Sequence, residues 1–255
     1  MTRILLMAAG AGSRFGSGTP KPFIRVNGLP MWHHVGAKAG LKRAADGSPM
    51  AVSLVTRSDH QHYIASTDHQ GYSPVVDNIK AIRPMVEQGP AWSVVAATLG
   101  GYTEDIIVMD SDCYLSAPDA IQCAKELTHF RQIELFRPNI TSSAAVFALR
   151  TMKDDQAAMA VMESNKGPMI ASVPGVRRGE LLNIGTYWFR SVSTFQHAVA
   201  NMPFFADGTK ELKVADVFNY LKHREVYEVV GNFHNLGTPE QLEDYKEVQG
   251  YGTTE

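Results

Sequence analysis

The chain begins with the stretch LLMAAGAGSRF at residues 5–15, and a lysine follows within TPKP at residues 19–22. The apolar residues 3–8 predict a buried strand, because a short continuous apolar run bounded by glycine is typical of a central parallel strand. In the glycine-rich loop that follows, no bulky side chain covers the backbone N–H groups, and such loops bind phosphate oxygens. Arg14 and Lys21 add positive charge. This layout predicts a site for a nucleoside triphosphate.

The loop has three alternative interpretations. A dinucleotide-binding fingerprint would need glycine at position 15, where Phe15 stands, and an acidic residue about 20 residues further on. A Walker loop from Gly16 to Lys21 would need glycine at position 20, where Pro20 stands. The third alternative is a plain turn with a solvated arginine and lysine, and the loop by itself leaves it open.

Composition indicates an ordinary globular protein. Of the 255 residues, 44% are hydrophobic and 20% are charged, and the formal net charge of -2 gives no field for wrapping nucleic acid. The two cysteines, Cys113 and Cys123, show no spacing typical of a zinc site or of a disulfide framework. No apolar run approaches the roughly 20 residues that a membrane helix needs. We therefore expect a cytoplasmic protein that binds neither nucleic acid nor membrane, and the sequence leaves open whether it forms a homo-oligomer.

Apolar runs alternate with segments of helical periodicity along the chain. Strands are predicted at residues 3–8, 50–56, 105–109, 143–149, 183–189 and 225–230. Helices are predicted at residues 31–44, 91–99, 118–129, 193–201, 211–223 and 239–247. This alternation predicts an α/β fold: a three-layer α/β/α sandwich with a mostly parallel mixed sheet.

The predicted domain organisation is simple. Residues 1–249 are expected to form a single domain, and residues 250–255 a frayed tail. Residues 151–181 show no clear periodicity. They are expected to form an insertion or lid on the sheet domain.

Two acidic residues follow the apolar run at residues 106–109. Asp110 and Asp112 stand at the carboxyl end of this predicted strand, where α/β proteins bind ligands. Two close carboxylates are costly unless a cation lies beside them, and Mg²⁺ binds through one or two carboxylates plus substrate phosphates. The alternative is an acidic loop that caps the helix predicted from Pro118.

The motifs MAAGAGSRF at residues 7–15, PKPF at 20–23 and VNGLPM at 26–31 resemble those of the sugar-phosphate nucleotidyltransferase family. The resemblance implies a fold of the nucleotide-diphospho-sugar transferase type. It also implies catalytic phosphate contacts from Arg14 and Lys21. The residues that would wrap the triphosphate are Ala8, Ala9, Gly10, Ala11, Gly12 and Ser13.

The same resemblance implies a metal site. The acid that closes the strand holds the metal in this family, which makes Asp112 the first candidate and Asp110 the second. A further ligand comes from a late D-x-G-T-P motif, which here reads HNLGTPE at residues 234–240. Asn235 therefore takes the place of the usual aspartate, and its carbonyl oxygen is a suitable ligand for Mg²⁺. For His234 a hydrogen-bonding role is favoured over metal binding.

Two more segments resemble substrate-binding motifs of the family. In EQGPAWS at residues 87–93, Gln88 and Gly89 would contact the nucleobase, since a glutamine amide both donates and accepts. The alternative, a simple helix entrance, is equally favoured. In NIGTYWF at residues 183–189, Asn183 and Gly185 would face the acceptor, and the alternative is a β-bulge.

The acceptor is the least defined part of the sequence. The Glu-Lys-Pro segment that sugar-binding members carry is absent, and VPGVRR at residues 173–178 stands near its place. Arg177, Arg178 and Lys166 are candidates for binding an acceptor phosphate.

The function implied by the resemblance is a Mg²⁺-dependent nucleotidyltransferase of nucleotide-sugar biosynthesis. It would join an NTP to a small phosphorylated acceptor such as a sugar 1-phosphate and release pyrophosphate. Within this resemblance, the triplet Ala8-Ala9-Gly10 differs from the Ala-Gly-Gly common in thymidylyl and many guanylyl members, which implies CTP or UTP. Alternative acceptors are phosphocholine and a phosphonate. Two other functions remain open: a GT-A-type glycosyltransferase that uses a nucleotide sugar, and a non-catalytic nucleotide-sugar-binding protein.

Overall fold

The computed structural model describes most of the chain. The described residues are 2–10, 15–16, 18–41, 51–68, 76, 78–82, 89–99, 104–116, 128–151, 158–203 and 211–251. The strands are β1 Arg3–Ala8, β2 Arg25–Val26, β3 Leu29–Pro30, β4 Ala51–Arg57, β5 Asn78–Ile82, β6 Ile106–Asp110, β7 Cys113–Ser116, β8 Ala144–Arg150, β9 Ala158–Met162, β10 Met169–Val173, β11 Leu181–Phe189, β12 Arg224–Val229 and β13 Asn232–Asn235. The helices are α1 Met31–Lys38, α2 Gln61–Asp68, α3 Pro90–Thr98, α4 His129–Leu135, α5 Val192–Asn201, α6 Val214–Tyr220 and α7 Pro239–Gln249.

A nine-stranded mixed sheet forms the centre of the molecule. Its strands run in the order β10-β9-β11-β6-β1-β4-β5, and β8 pairs with both β11 and β12. The strands β6, β1, β4 and β5 are parallel to one another, whereas β11 runs antiparallel to β6. The parallel strands therefore end together at one edge, which is where loops of such sheets bind ligands.

Helices cover both faces of the sheet. One apolar cluster packs α1, α4 and α7 against residues such as Ile4, Leu6 and Ile107. The second cluster packs α3, α5 and α6 against residues such as Leu5 and Val108 on the opposite face. Successive side chains of β1 thus enter opposite layers, as the pleat of a strand requires. The predicted three-layer α/β/α sandwich is confirmed.

Most predicted elements are present, and three helices differ from prediction. Helix α1 ends at Lys38 rather than at residue 44, because Gly40 adopts a left-handed φ of +84° and stops the helix. Helix α6 begins at Val214 rather than at residue 211. Residues 118–127 of another predicted helix lie outside the described residues, and His129 begins α4 instead of ending a helix.

Residues 151–181 contribute to the central sheet. Strands β9 and β10 pair antiparallel with each other, and β9 pairs with the first residues of β11. The expected insertion or lid therefore includes two strands that extend the sheet beyond β11. Residues 252–255 of the expected frayed tail lie outside the described residues. In the part of the chain that the structure describes, no helix has the length and apolarity needed to cross a membrane.

A buried histidine connects two strands beneath the edge where the parallel strands end. His129 Nδ1 accepts a hydrogen bond from the backbone N–H of Leu115 at 3.2 Å, and its Nε2 lies 3.0 Å from the Thr186 hydroxyl. Burial lowers the pKa of His129 to about 4, because the imidazolium form is poorly solvated there. The neutral ring thus fixes β7 to β11.

This histidine predicts a pH dependence of stability. Its pKa is lower in the folded state than its value of 6.5 in water, so the unfolded chain binds more protons below pH 6.5. Lowering the pH from 7.5 to 5 should therefore reduce the free energy of unfolding by on the order of 2 kcal/mol for this one residue. Urea unfolding at several pH values measures it.

The control for this prediction is the exposed imidazole of His197. His129→Asn should make the dependence of the free energy of unfolding on pH shallower by this amount, and His197→Asn should leave it as in the wild type. Equal dependence in the wild type and in His129→Asn would contradict the prediction.

Candidate active site

The centre of the candidate site is a cluster of three side chains after β6. One carboxylate oxygen each of Asp110 and Asp112 and the Sγ of Cys113 all lie within 4.8 Å of one another. Removal from water, with the charge of Asp112 as a second cause, raises the pKa of Asp110 to about 7, and Lys21 acts in the opposite direction. A divalent cation that prefers oxygen ligands would relieve this repulsion, so the two carboxylates fit a metal site.

Lys21 supplies the positive charge at this cluster. It begins a short 3-10 turn, Lys21–Phe23, whose Pro22 and Phe23 are buried against the sheet. The Lys21 ammonium forms an ion pair and a hydrogen bond with Asp112, and it lies 5.9 Å from the ring centre of Phe15. The turn therefore holds the lysine predicted from the opening motif directly at the acidic residue predicted from β6.

A bulge in β11 makes room for Asp110. The register between β11 and β8 shifts between Asn183 and Thr186, and Gly185 within the bulge has a φ of +70°. A methyl group on Gly185 would lie 2.5 Å from Asp110 Oδ2. The β-bulge, one of the two alternatives that the sequence left open, is present, and Gly185 lies against the Asp110 carboxylate.

Two short strands bring the late motif to the acidic pair. Strand β13 pairs antiparallel with β7, which places Asn235 opposite Cys113. The backbone N–H of Leu236 donates to the carbonyl of Asp112 at 2.7 Å, and the Asn235 Oδ1 accepts from the Gly237 N–H at 2.9 Å. Asn235 is thus beside the predicted metal ligands, with an amide oxygen that the Gly237 N–H orients.

The first of two cavities at this edge lies over β1, β4 and β5. It has a volume of about 330 Å³, and Lys21, Asp110 and Asp112 form one end of it. The predicted nucleotide-binding residues Ala9, Gly10 and Gly89 line it. The other lining residues are Met7, Pro22, Arg57, Ile82, Pro90, Ser93, Ser111 and Glu211.

The second cavity lies on the side of β11 and α7. Its volume is about 420 Å³, and it shares Lys21, Asp110 and Asp112 with the first. Its lining includes Asn183 and Gly185, the candidates for acceptor binding, and Asn235, a candidate metal ligand. The other lining residues are Cys113, Met159, Ser172, Val173, Leu182, Tyr187, Phe233, Gly237, Thr238 and Gln241. One acidic pair and one lysine therefore separate two cavities.

The Asn183 side chain is held by its neighbours in β11. Its Nδ2 donates to the Tyr187 hydroxyl at 2.7 Å, and its Oδ1 accepts from the backbone N–H of Gly185 at 3.1 Å. Burial, with a smaller effect of the Asp110 charge, raises the pKa of Tyr187 well above its usual value, so Tyr187 stays neutral. Asn183 is thus a fixed polar group in the wall of the second cavity.

The other predicted site residues line neither cavity or lie outside the described residues. Ala8 is buried at the end of β1, whereas residues 11–14 and Gln88 lie outside the described residues. Neither cavity is lined by the three basic residues considered for an acceptor phosphate, Lys166, Arg177 and Arg178.

Among the lining residues that the sequence motifs did not indicate are Arg57 and Glu211 in the first cavity and Gln241 in the second. Arg57 could have been identified from its position at the end of a predicted parallel strand. Glu211 gave no signal, because its segment was interpreted as part of a helix.

Polar aromatic residues of α1, β7, β13 and α7 pack together next to the site. The His234 ring stacks on Tyr114 with centres 4.7 Å apart, and its Nε2 lies 2.9 Å from the Ser116 hydroxyl. The Tyr245 hydroxyl lies 2.9 Å from that of Tyr114 and 2.8 Å from His34 Nε2. The hydrogen-bonding role predicted for His234 is confirmed.

Residues 4–169, well over half of the chain, match the family model of the MobA-like NTP transferase domain. Comparison with curated proteins found no match.

Several solved structures share the fold over the full length of the chain. The inositol-1-phosphate CTP transferase from T. maritima is 14% identical with a TM-score of 0.66, over 98% of this chain and 96% of its own. A nucleoside-diphosphate-sugar pyrophosphorylase from Vibrio cholerae is 17% identical with a TM-score of 0.60, over 96% and 99%. The CTP:phosphocholine cytidylyltransferase from Streptococcus pneumoniae is 15% identical with a TM-score of 0.61, over 97% and 99%. At these identities the similarity is one of fold.

The bulge at Gly185 predicts that a single methyl group impairs metal binding. Gly185→Ala should weaken Mn²⁺ binding at least tenfold, because the added carbon would displace the Asp110 carboxylate. Isothermal titration with Mn²⁺ measures this change.

A matched control separates this effect from backbone strain. Gly179 has a φ of +88°, and an added methyl group there would meet nothing within 4 Å. Gly179→Ala should therefore carry a similar backbone cost of about 1 kcal/mol and leave Mn²⁺ binding unchanged. Equal Mn²⁺ affinity in the two variants would contradict the assignment of Asp110.

Proposed function

We propose that this chain, which belongs to the MobA-like NTP transferase family, transfers a nucleotidyl group from CTP or UTP to a small phosphorylated acceptor and releases pyrophosphate. The observation that carries the proposal is the position of Lys21, Asp110 and Asp112, which form a wall common to both cavities. A transfer between two substrates needs both of them next to one reaction centre.

The first cavity suits the nucleotide. Gly10 lines it where the opening loop leaves β1, and Lys21 stands at its end. The N–H groups of a glycine-rich loop and a lysine ammonium are typical partners of phosphate oxygens. In this proposal Ala9, Gly10 and the rest of the loop hold the triphosphate, and Arg14 adds a second cation.

The second cavity suits the acceptor. Its polar side chains include hydroxyl and amide groups, from Ser172, Thr238, Asn183 and Gln241, and Lys21 supplies a positive charge. Hydroxyls and amides both donate and accept, so they suit a polyol such as a sugar 1-phosphate. Inositol 1-phosphate and phosphocholine, which appear in the names of two proteins of the same fold, are further acceptors for a test, together with a phosphonate.

In the proposed reaction an oxygen of the acceptor phosphate attacks the α-phosphorus of the NTP in line, and pyrophosphate leaves. The acceptor phosphate is already ionised near neutral pH, so the chain needs no general base. Lys21, placed between the two cavities, stabilises the negative charge that develops on the transferred phosphoryl group. The two cavities orient the reacting atoms.

The proposed site includes a divalent metal. Asp110, Asp112 and Asn235 would hold it, with carboxylate and amide oxygens as ligands. When bound, Mg²⁺ supplies charge neutralisation and orientation of phosphate oxygens. Such a transferase would serve cytoplasmic nucleotide-sugar biosynthesis.

The first prediction of this proposal concerns the lysine. Lys21→Ala should reduce turnover more than tenfold, since the loss of about 1.4 kcal/mol of transition-state stabilisation is tenfold in rate. Pyrophosphate release from CTP and UTP, with a panel of sugar 1-phosphates, phosphocholine and phosphonates, measures it. The control is Lys222→Ala, which removes an exposed lysine and should leave turnover unchanged.

Two outcomes would contradict the proposal. The first is unchanged turnover in Lys21→Ala. The second is a wild-type chain that is stabilised by nucleotide sugars and by no NTP, because that pattern is typical of a glycosyltransferase or a nucleotide-sugar-binding protein.

The second prediction concerns the metal. EDTA should abolish pyrophosphate release, and excess Mg²⁺ should restore it, because the carboxylate pair needs a cation to bind phosphate groups nearby. Asp112→Asn should remain inactive at Mg²⁺ concentrations that saturate the wild type. Full activity in EDTA would exclude Asp112 and Asp110 from metal binding.

A further inference from the structure

We infer that Glu211 and Arg57 select the base of the nucleotide, and that they favour a pyrimidine with an exocyclic amino group, so that CTP is preferred over UTP. The inference rests on the proposed function, because it assigns the nucleotide to the first cavity. Both residues line that cavity. Neither belongs to the motifs on which the family resemblance is based.

The two faces of the sheet separate the phosphate end of the cavity from its other end. The segment after the opening loop packs on one face, where Phe23 and Val26 join the cluster of α1 and α7. Helix α3 and the segment before α6 pack on the opposite face, with Ala91 and Leu212 in the second cluster. Since the loop and Lys21 hold the phosphates, the base extends towards α3 and residue 211.

Arg57 lies on the face of the base. It follows Val55 by two residues in β4, and Val55 belongs to the second cluster, so the alternation of the strand directs Arg57 to the same side. Strand β1 separates β4 from β6. Two strand spacings are roughly 10 Å, a distance that a ribose and a base can span from the α-phosphate at Asp110.

The Asp59 carboxylate orients the Arg57 guanidinium. The carboxylate accepts from the Arg57 Nε at 3.0 Å and from the Arg57 Nη2 at 2.6 Å. This fork fixes the guanidinium plane through one edge and leaves the Nη1 edge for another acceptor. The hydrogen bond to Asp59 also raises the pKa of Arg57, which stays a cation.

Glu211 reaches the cavity because residue 89 is a glycine. A methyl group on Gly89 would lie 2.5 Å from the Glu211 Cγ, so the glutamate side chain crosses the bare Cα at the start of α3. The backbone fixes this approach, since the Ala91 N–H donates to the Leu212 carbonyl at 3.1 Å. Among the described residues, Arg57 forms its ion pair with Asp59 and none with Glu211, so Arg57 does not neutralise the Glu211 carboxylate.

The chemistry of these two groups discriminates between pyrimidines. A carboxylate only accepts hydrogen bonds and a guanidinium only donates them. Cytosine offers an amino group to the carboxylate and the acceptors N3 and O2 to the guanidinium. Uracil has a carbonyl oxygen in place of the amino group, and a carboxylate facing that oxygen is unfavourable. Uracil also carries an N3–H donor in place of the N3 acceptor, so two exchanges of donor and acceptor separate CTP from UTP.

The test compares pyrimidine nucleotides in the wild type and in Glu211→Gln. The wild type should show a kcat/KM for CTP at least tenfold above that for UTP. Glu211→Gln should reduce this ratio at least tenfold, chiefly through KM, because an amide can present either a donor or an acceptor. The matched control is Glu247→Gln, which changes an exposed glutamate on α7 and should keep the wild-type ratio.

A cytosine analogue sharpens the test. Pyrimidin-2-one riboside triphosphate lacks the amino group, so the wild type should use it at least tenfold less efficiently than CTP, and Glu211→Gln should use it nearly as well as CTP. Arg57→Lys should raise the KM for CTP about tenfold, since lysine loses the two-pronged donor geometry.

The outcomes separate the two proposals. Turnover that shows no preference for CTP over UTP, a preference for a purine nucleotide, or an unchanged ratio in Glu211→Gln would overturn the role of Glu211 and Arg57 while the proposed function stands. If no NTP is turned over and none raises the melting temperature in Mg²⁺, the proposed function fails, and this inference fails with it.

Discussion

The electrostatic repulsion between two neighbouring carboxylates constrains this whole edge of the sheet. Asp110 stands at the end of β6 with its pKa raised to about 7, chiefly by removal from water and also by Asp112. Neutralisation comes from Lys21, which the chain places there through a turn that follows β1. Space comes from Gly185, whose missing side chain leaves room for a carboxylate oxygen. The charge of Lys21 and the space at Gly185 are therefore both needed to accommodate the two carboxylates after β6.

The central layer of the fold could be predicted because its strands are encoded locally. The runs at β1, β4, β6 and β11 are short, apolar and bounded by turn residues, and the structure has each of them within one or two residues. Asp110 and Asp112 were predictable for the same reason, since carboxyl ends of parallel strands meet at one edge. The fold class and the central acidic pair therefore followed from one kind of signal.

The parts that could not be predicted depend on contacts between distant segments. Strands β7 and β13 are four residues each, and they form only because residues more than a hundred positions apart pair with each other. Glu211 stands in a segment of good helix formers, yet it lies outside α6, because the neighbouring Leu212 packs on α3 and accepts a hydrogen bond from Ala91. The secondary-structure propensity of a short segment carries no information about such pairings.

The bulge in β11 also divides the sheet into two regions. Before the bulge, Leu181 and Leu182 pair with β9, and after it, Thr186 to Phe189 pair with β6. Among the described strands, β9 and β10 therefore pair with each other and with β11, and not with β6 or β1. Asp112, the partner of Lys21, follows β6, and the opening loop follows β1. Substitutions within the hairpin of β9 and β10 can accumulate without altering the register of β6 or β1. A lineage of such proteins is thus free to diversify one cavity wall while the edge that carries the acidic pair stays under separate selection.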